Sequence, residues 1–507
     1  MNILISLSIL ITSSLMAQQG NSVAQQTITS HNISSCGQTE ELISEVSNSI
    51  NINNQKLIYK ATAGRLPISD SSEAPEAYIF FITYQKQPLN AKVVEQRPIT
   101  FAFNGGPGAS SIWLHLGAAG PMKVPLGSQG TTLPDIDTLI TNQSTWLTFT
   151  DMVFVDPVGT GYSRPAIKTN AGKFYSVDGD IVAAAQFITT FLTRFNRWKS
   201  PIYLAGESYG TTRICGLCDF LQSKKAIAPE GIILLSLALN FQTFSFETGN
   251  DLPCILTLPS FCAAAWYHKR LNKDLNHMGL QDALSAAETW SKGIYHTTLF
   301  DGSSSAHNEI NRTEDSLTLF TGLNNKFIKK SGLRIDQFTF VQELLADSIL
   351  GILDSRITGA GISTVSPFPY SDPSLFITSA PYTSLINHYL RNDLKYVTTL
   401  KYIFLSDQIN RQWKWTSPSS QGYLNVTPQL CRAMSINKRL RVFACMGYYD
   451  LATPYFSQKY TLHHLSSDSS LLRRCMIREY PTGHMIYTSD SGLSALTGDL
   501  RRFYNRE

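Results

Sequence analysis

The 507-residue sequence predicts an α/β fold, a mainly parallel central sheet flanked by helices and interrupted by an inserted helical cap. Three observations predict it. Short apolar runs alternate with helix-compatible stretches up to about residue 239. The segment from about 240 to 400 reads as mostly helical and irregular, and strand texture returns after 401. Strands alternating with helices imply parallel pairing with both sheet faces covered.

The elements follow in chain order. Ile3 to Leu15 is apolar, broken only by Ser and Thr, and small residues follow at Ala17 and at Ser22-Val23-Ala24. That is the pattern of a secretory signal peptide over residues 1–24, too short for a stable bilayer anchor. Residues 25–76 are polar, rich in Ser, Asn and Gln up to about Ser72, and read as a mobile leader or an edge segment. Ala77–Tyr84, Pro98–Phe103, Met152–Asp156, Pro201–Ala205 and Gly231–Leu237 have the apolar, β-branched texture of strands. Asp180–Phe195 carries Ile181, Ala184, Ala185, Phe187, Ile188 and Phe191 at helical spacing. Ser260–Leu271, Gln281–Tyr295 and Asp336–Leu350 are the helices expected in the insertion. Arg439–Met446 and Cys475–Tyr480 resume the strands, and Ser491–Tyr504 closes as a helix. The expected core is therefore 77–239 with 401–507, and the expected cap is 240–400.

Composition narrows the function classes. Hydrophobic residues make up 43 %, enough for a large buried core. The 42 basic and 38 acidic side chains leave a net charge of +4 with no run of one sign, which gives no reason to expect nucleic acid as a partner. No apolar run after the leader reaches membrane-spanning length, so no membrane anchor is expected, and the leader points to a secreted or periplasmic protein. Eight cysteines suit an exported chain, though spacing does not fix their pairing. Cys215-Gly-Leu-Cys218 has neither a second such pair nor a nearby His pair, so no zinc site is expected.

The chemistry concentrates in a few short motifs. Gly206-Glu207-Ser208-Tyr209-Gly210 fits the G-x-S-x-G turn in which a serine sits between a strand and a helix. Here Pro201–Ala205 leads in and the helix-compatible run Thr211–Leu221 leads out. A serine hydroxyl needs a base to take its proton and a carboxylate to hold the base's tautomer. Asp450 follows Arg439–Met446 and His484 follows Cys475–Tyr480, each at a strand's carboxyl end and in the order Ser, Asp, His. His115 in a glycine-rich loop, His268 beside Trp266 and Tyr267, and the His463-His464 pair are worse placed. The backbone N–H of Tyr209, with one from Asn104-Gly105-Gly106-Pro107-Gly108, most simply that of Gly106, would face an oxyanion. Gly159-Thr160-Gly161 superficially suggests a dinucleotide loop. It lacks the third glycine, and Pro157 and Arg164-Pro165 interrupt it.

Together these segments resemble the serine carboxypeptidases (peptidase family S10). The matching stretches are Asn104–Ser111, Gly120-Pro121, Asp156–Ser163, Gly206–Gly210, Gly447–Asp450 and Gly483-His484-Met485, in family order. The phrasing at Ala265–His268 and Tyr448–Pro454 looks like a bacterial branch. The resemblance implies an α/β-hydrolase fold and removal of C-terminal residues from peptides under acidic conditions, with no metal or organic cofactor. It also implies that Asn104 with Gly105, and Glu207, bind the substrate's terminal carboxylate. A carboxyl group donates a hydrogen bond to a carboxylate only when protonated, which favours acid pH. Two positions depart from the family pattern. Ala118 stands where a second carboxyl is usual, and Ala102 where a Trp is usual. The first departure is expected to weaken recognition of a free C-terminus and to shift the pH optimum upward. Esterase or acyltransferase chemistry on the same triad is the alternative, and a non-catalytic binding protein is a third reading.

Overall fold

The computed structural model describes residues 42–69, 74–88, 97–133, 138–167, 169–360, 372–415, 422–466 and 468–507. The expected signal peptide and the start of the polar segment lie outside them. Among the described residues one sheet runs β1 (Ile43–Ile52), β2 (Gln55–Ile68), β3 (Ala77–Lys86), β5 (Asp151–Val155), β4 (Ile99–Phe103), β6 (Ile202–Glu207), β7 (Gly231–Leu235), β8 (Arg441–Gly447) and β9 (Cys475–Tyr480). A short strand, Arg164–Pro165, also pairs with β3. The strands from β5 to β9 are parallel to one another, whereas β1, β2 and β3 add an antiparallel edge. Part of the polar segment is thus sheet. Its residues 43–68 form a hairpin whose inward positions include Ile50, Ile52, Leu57 and Tyr59, all buried.

Side-chain alternation along the central strands builds two cores. Phe101, Leu204, Ile232, Leu234 and Val442 face the core under α1 (Val177–Arg194) and α2 (Tyr209–Lys225). Their neighbours Ala102, Tyr203, Ile233, Leu235 and Phe443 face the opposite core, with Phe503 and Tyr504 of the closing helix. Every one of these strand positions is apolar, as a strand covered on both faces requires. On α1, Ser176 accepts the N–H of Gly179 as N-cap, and Ile181, Ala184, Ala185, Phe187, Ile188 and Phe191 are buried.

About two hundred residues separate β7 from β8, although the two strands are neighbours in the sheet. Helices fill much of that interval: α3 (Leu252–Tyr267), α4 (Leu280–Trp290), α5 (His307–Thr321), α6 (Pro373–Asn392) and α7 (Asp407–Gln412). A third core, with Leu258, Phe261, Leu317 and Phe340, holds the first three together. The helix expected over Asp336–Leu350 stops at Glu343, and Ser348–Leu350 is instead a strand paired with Thr358–Ala360. His115 lies in a π-helical turn, Leu114–Ala119, rather than a loop. All seven cysteines in the described residues are free thiols, and Cys215 and Cys218 are buried along α2.

One buried ion pair ties the helical layer to the sheet edge. Arg213 of α2 donates from Nε to Asp180 Oδ2 of α1 at 2.7 Å and from Nη1 to the carbonyl of Asn104 at 2.7 Å. Removing Asp180 strands a fully buried guanidinium, so Asp180→Ala is expected to cost about 3–5 kcal/mol. Urea unfolding of the two proteins checks this.

Candidate active site

Parallel strands all point one way, so the loops after their carboxyl ends collect at one edge. Asn104 follows β4, Ser208 follows β6, Asp450 follows β8 and His484 follows β9. Ser208 has φ 58° and ψ −129°, a strained turn for a residue with a Cβ. Its N–H donates to the Leu235 carbonyl of the neighbouring strand at 3.0 Å, and its carbonyl accepts from Thr211 N–H at 2.9 Å. Its hydroxyl makes no capping bond to α2, which leaves Oγ available at the helix N-terminus. The flanking glycines are required by crowding. A Cβ on Gly206 would meet the backbone of Gly210, and one on Gly210 would meet that of Phe103 and Asn104.

The glycine loop after β4 packs directly on this turn. A Cβ on Gly105 would come 2.7 Å from Tyr209 N and 2.7 Å from the Glu207 carbonyl. Gly106 has φ 101°, which only glycine adopts readily, and a cis peptide bond joins it to Pro107. Behind the loop, Asp156 accepts Ser111 N–H at 2.8 Å. Gly161 has no room for a side chain beside the Asp156 carboxyl, which explains this glycine pair as loop support rather than a nucleotide cradle.

Asp450 and His484 are brought together. His484 Nδ1 lies 2.7 Å from Asp450 Oδ2, with both residues buried. Asp450 Oδ1 accepts the N–H groups of Ala452 and Thr453, and Oδ2 also accepts the Thr453 hydroxyl at 2.7 Å. With the carboxylate so satisfied, the imidazole proton is held on Nδ1 and Nε2 is left as acceptor. His484 itself is gripped at both backbone groups, its N–H by the Leu353 carbonyl and its carbonyl by the Ser236 hydroxyl, each at 2.6 Å. Burial lowers the proton affinity of His484, but the charge and hydrogen bond of Asp450 outweigh it and raise the pKa above the ordinary 6.5.

Ser208, His484, Glu207, Asn104, Gly105 and Gly106 line one cavity of about 320 Å³, with Trp113, Leu353, Leu375 and Leu405 as apolar wall and Asp407 of α7 at its side. Asp450 is set behind His484, outside that lining. Glu207 is buried, which pushes its carboxyl up to about 7 against the opposing pull of His484 and of hydrogen bonds from Tyr487 and Asn104. Asn104 Oδ1 accepts Leu114 N–H at 2.9 Å, so its amide N–H₂ is the end free for Glu207. Among the described residues no group of three or more His, Cys, Asp or Glu is arranged to hold a metal ion. No helix among them is long and apolar enough to cross a membrane.

Residues 52–329 match the family described as serine carboxypeptidase. The chain belongs to the serine carboxypeptidase family. The match includes the Asn104 loop and the Ser208 turn, while Asp450 and His484 lie beyond it. This family member is 29 % identical over 206 residues to a pheromone-processing carboxypeptidase KEX1 of Tuber melanosporum, 38 % of this chain and 30 % of the relative. It is 36 % identical over 136 residues to the KEX1 of Podospora anserina, 26 % of this chain and 20 % of the relative. The chain thus spans less than a third of the length of these relatives. Its fold is similar to the crystal structure of Kex1(delta)p, a prohormone-processing carboxypeptidase from Saccharomyces cerevisiae. That likeness has a TM-score of 0.54 at 16 % identity, covering 88 % of this chain and 91 % of that one. The α/β-hydrolase fold is therefore established.

Three residues at the site carry no motif signal of their own. Thr453 bonds Asp450 and lies 3.3 Å from His484 Nδ1, Ser236 holds the His484 carbonyl, and Tyr487 donates to Glu207 Oε2 at 2.5 Å. Only Thr453 was findable, since a threonine three residues after an aspartate is a common local hydrogen-bonding turn.

Asp450→Asn tests the electrostatic arrangement. An asparagine whose Oδ1 keeps the Ala452 and Thr453 N–H bonds turns its NH₂ toward His484 Nδ1, forcing the proton onto Nε2. The expected fall in kcat is about 10⁴-fold, read by steady-state kinetics alongside an unchanged circular dichroism spectrum.

Proposed function

We propose that this chain is a secreted serine-type carboxypeptidase that removes C-terminal residues from peptides through an acyl-enzyme. The observation that carries the reading is one cavity lined by a strained serine, a histidine backed by a buried aspartate, and a buried carboxyl beside an asparagine amide. His484 Nε2 takes the proton of Ser208 as Oγ attacks the scissile carbonyl. Asp450 holds the Nδ1–H tautomer and stabilises the imidazolium. The N–H groups of Tyr209 and Gly106 receive the oxyanion. The imidazolium gives its proton to the leaving amine, the acyl-enzyme forms, and a water deprotonated by His484 releases it. Asn104, Gly105 and Glu207 bind the terminal carboxylate of the departing residue. The cap, residues 240–400, covers a core of 77–239 and 401–507 in this reading. The leader pattern of residues 1–24 supports export.

Peptide specificity and pH range follow from the charges. His484 must be neutral to act as base, so activity rises with pH through a value above the ordinary 6.5. Glu207 must be protonated to donate to a carboxylate, so binding of a free C-terminus falls as pH rises through about 7. The two groups interact and titrate as a pair, giving a narrow optimum near neutrality. Incubation of a peptide mixture with the protein at several pH values, read by mass spectrometry, is expected to give a C-terminal ladder. Amidated peptides are expected to stay intact, and Ser208→Ala to abolish trimming. Equal cleavage of free and amidated peptides would remove the exopeptidase element. Fast hydrolysis of aryl esters with no trimming would favour the esterase or acyltransferase reading, which the alanine at position 118 supports.

A further inference from the structure

The family pattern's second carboxyl is absent at Ala118, yet Glu207 is not left alone. Tyr487 Oη donates to Glu207 Oε2 at 2.5 Å with both residues buried. The turn that carries Ala118 makes room for this. Its small residues Gly117-Ala118-Ala119 are all buried, and a Cβ on Gly117 would come 2.6 Å from the Tyr487 ring and 2.5 Å from the Tyr382 hydroxyl. Tyr487 is also three residues beyond His484, in the 3₁₀ turn Ile486–Thr488, so one short segment presents both the base and this hydroxyl.

We infer that Tyr487 stands in for the missing carboxyl as the positioning residue of Glu207, fixing it for recognition of a substrate's terminal carboxylate. The inference rests on the reading of Glu207 as the carboxylate-binding group. A tyrosine and a carboxyl differ as partners in one respect. Two carboxyls share a proton and both donate only in acid. A tyrosine hydroxyl brings its own proton at every pH of interest, and burial raises the Tyr487 pKa well above its ordinary value. Because Tyr487 occupies Oε2 as acceptor, a protonated Glu207 carries its proton on Oε1, from where it is donated to the substrate.

The other groups facing Glu207 are fixed in role. Asn104 after β4 donates to it, and His484 attracts its anion. Asp450 after β8 repels that anion, while Tyr382 of α6 and Cys445 of β8 feel its charge from the side. Losing the Tyr487 donor disfavours the Glu207 anion, so its protonation extends to higher pH.

The test compares wild type, Tyr487→Phe and Glu207→Gln on a blocked dipeptide with a free C-terminus and on its C-terminal amide, from about pH 5 to 8.5. For the free acid at about pH 5–6, where Glu207 is protonated in both proteins, Tyr487→Phe is expected to raise KM about fivefold, as loss of a neutral hydrogen bond that fixes the carboxyl implies. Its kcat is expected to change far less, and the high-pH limb of KM is expected to move upward. KM and its limb unchanged in Tyr487→Phe, while Glu207→Gln abolishes the limb, would overturn the role of Tyr487 alone. A limb that survives in Glu207→Gln would overturn the carboxylate reading itself. A measurement on the wild type needs no variant to fold: inhibition by N-acetylphenylalanine from about pH 3.5 to 8.5. Inhibition that persists to about pH 7 and then fades supports the carboxylate reading of Glu207 on which the inference rests, and fading at ordinary glutamate values near pH 4–5 overturns that reading and the inference with it.

Discussion

The site depends first on a backbone that cannot relax. Ser208, with φ 58° and a Cβ, sits in a conformation that costs on the order of 1–3 kcal/mol. What holds it there is the sheet on one side and crowding on the other. Its N–H is fixed by the Leu235 carbonyl, and Gly206, Gly210 and Gly105 are pressed so closely that no larger residue fits. The same compression lifts Oγ off the helix it would otherwise cap and lays the Asn104 loop on the Tyr209 N–H. Register does the rest. Leu235 pairs with both Glu207 and Cys445, and Gly447 pairs with Tyr480, so the residues after β6, β8 and β9 emerge at one level.

Electrostatics at that edge follow from burial more than from net charge. Asp450, His484, Glu207, Asp180 and Arg213 are all removed from water, and each is hydrogen-bonded to a polar partner. The two groups the proposed chemistry needs, a neutral histidine and a protonated glutamate, both have raised proton affinities, Glu207 through burial and His484 through Asp450 against the opposing effect of burial. His115, by contrast, is a buried histidine pushed down to about 3 by burial alone and bonded to the Tyr84 hydroxyl at 2.6 Å, a neutral packing element. Two buried histidines in one fold thus have their proton affinities shifted in opposite directions, decided by whether a carboxylate stands beside them.

Much of this was legible from residues alone, for physical reasons. The strands β4 to β8 are almost wholly buried on both faces and so read as largely apolar runs, whereas β9 at the sheet edge is half-buried and carries Arg478 and Glu479. Ser208, Asp450 and His484 were findable because each follows a strand's carboxyl end, in the order Ser, Asp, His. The hairpin of β1 and β2 was harder to read. Ser, Asn and Glu alternate with its few inward residues, a pattern shared by polar leaders. The helix expected to Leu350 stopped early because Ile349 and Leu350 find strand partners in Gly359 and Thr358, a tertiary contact that no local period encodes. The partners of the site residues were the least visible. Arg213 and Asp180 are thirty-three positions apart, and Tyr487 reaches Glu207 across 280. Only the fold brings such pairs together.

Reaction with a fluorophosphonate, located by peptide mapping and followed against pH, tests the central claim that the strained serine is the nucleophile and His484 its base. The account predicts a single adduct on Ser208, formed at a rate that rises with pH through a value above 6.5. An adduct on another residue, or a rate on Ser208 indifferent to pH across that range, would contradict it.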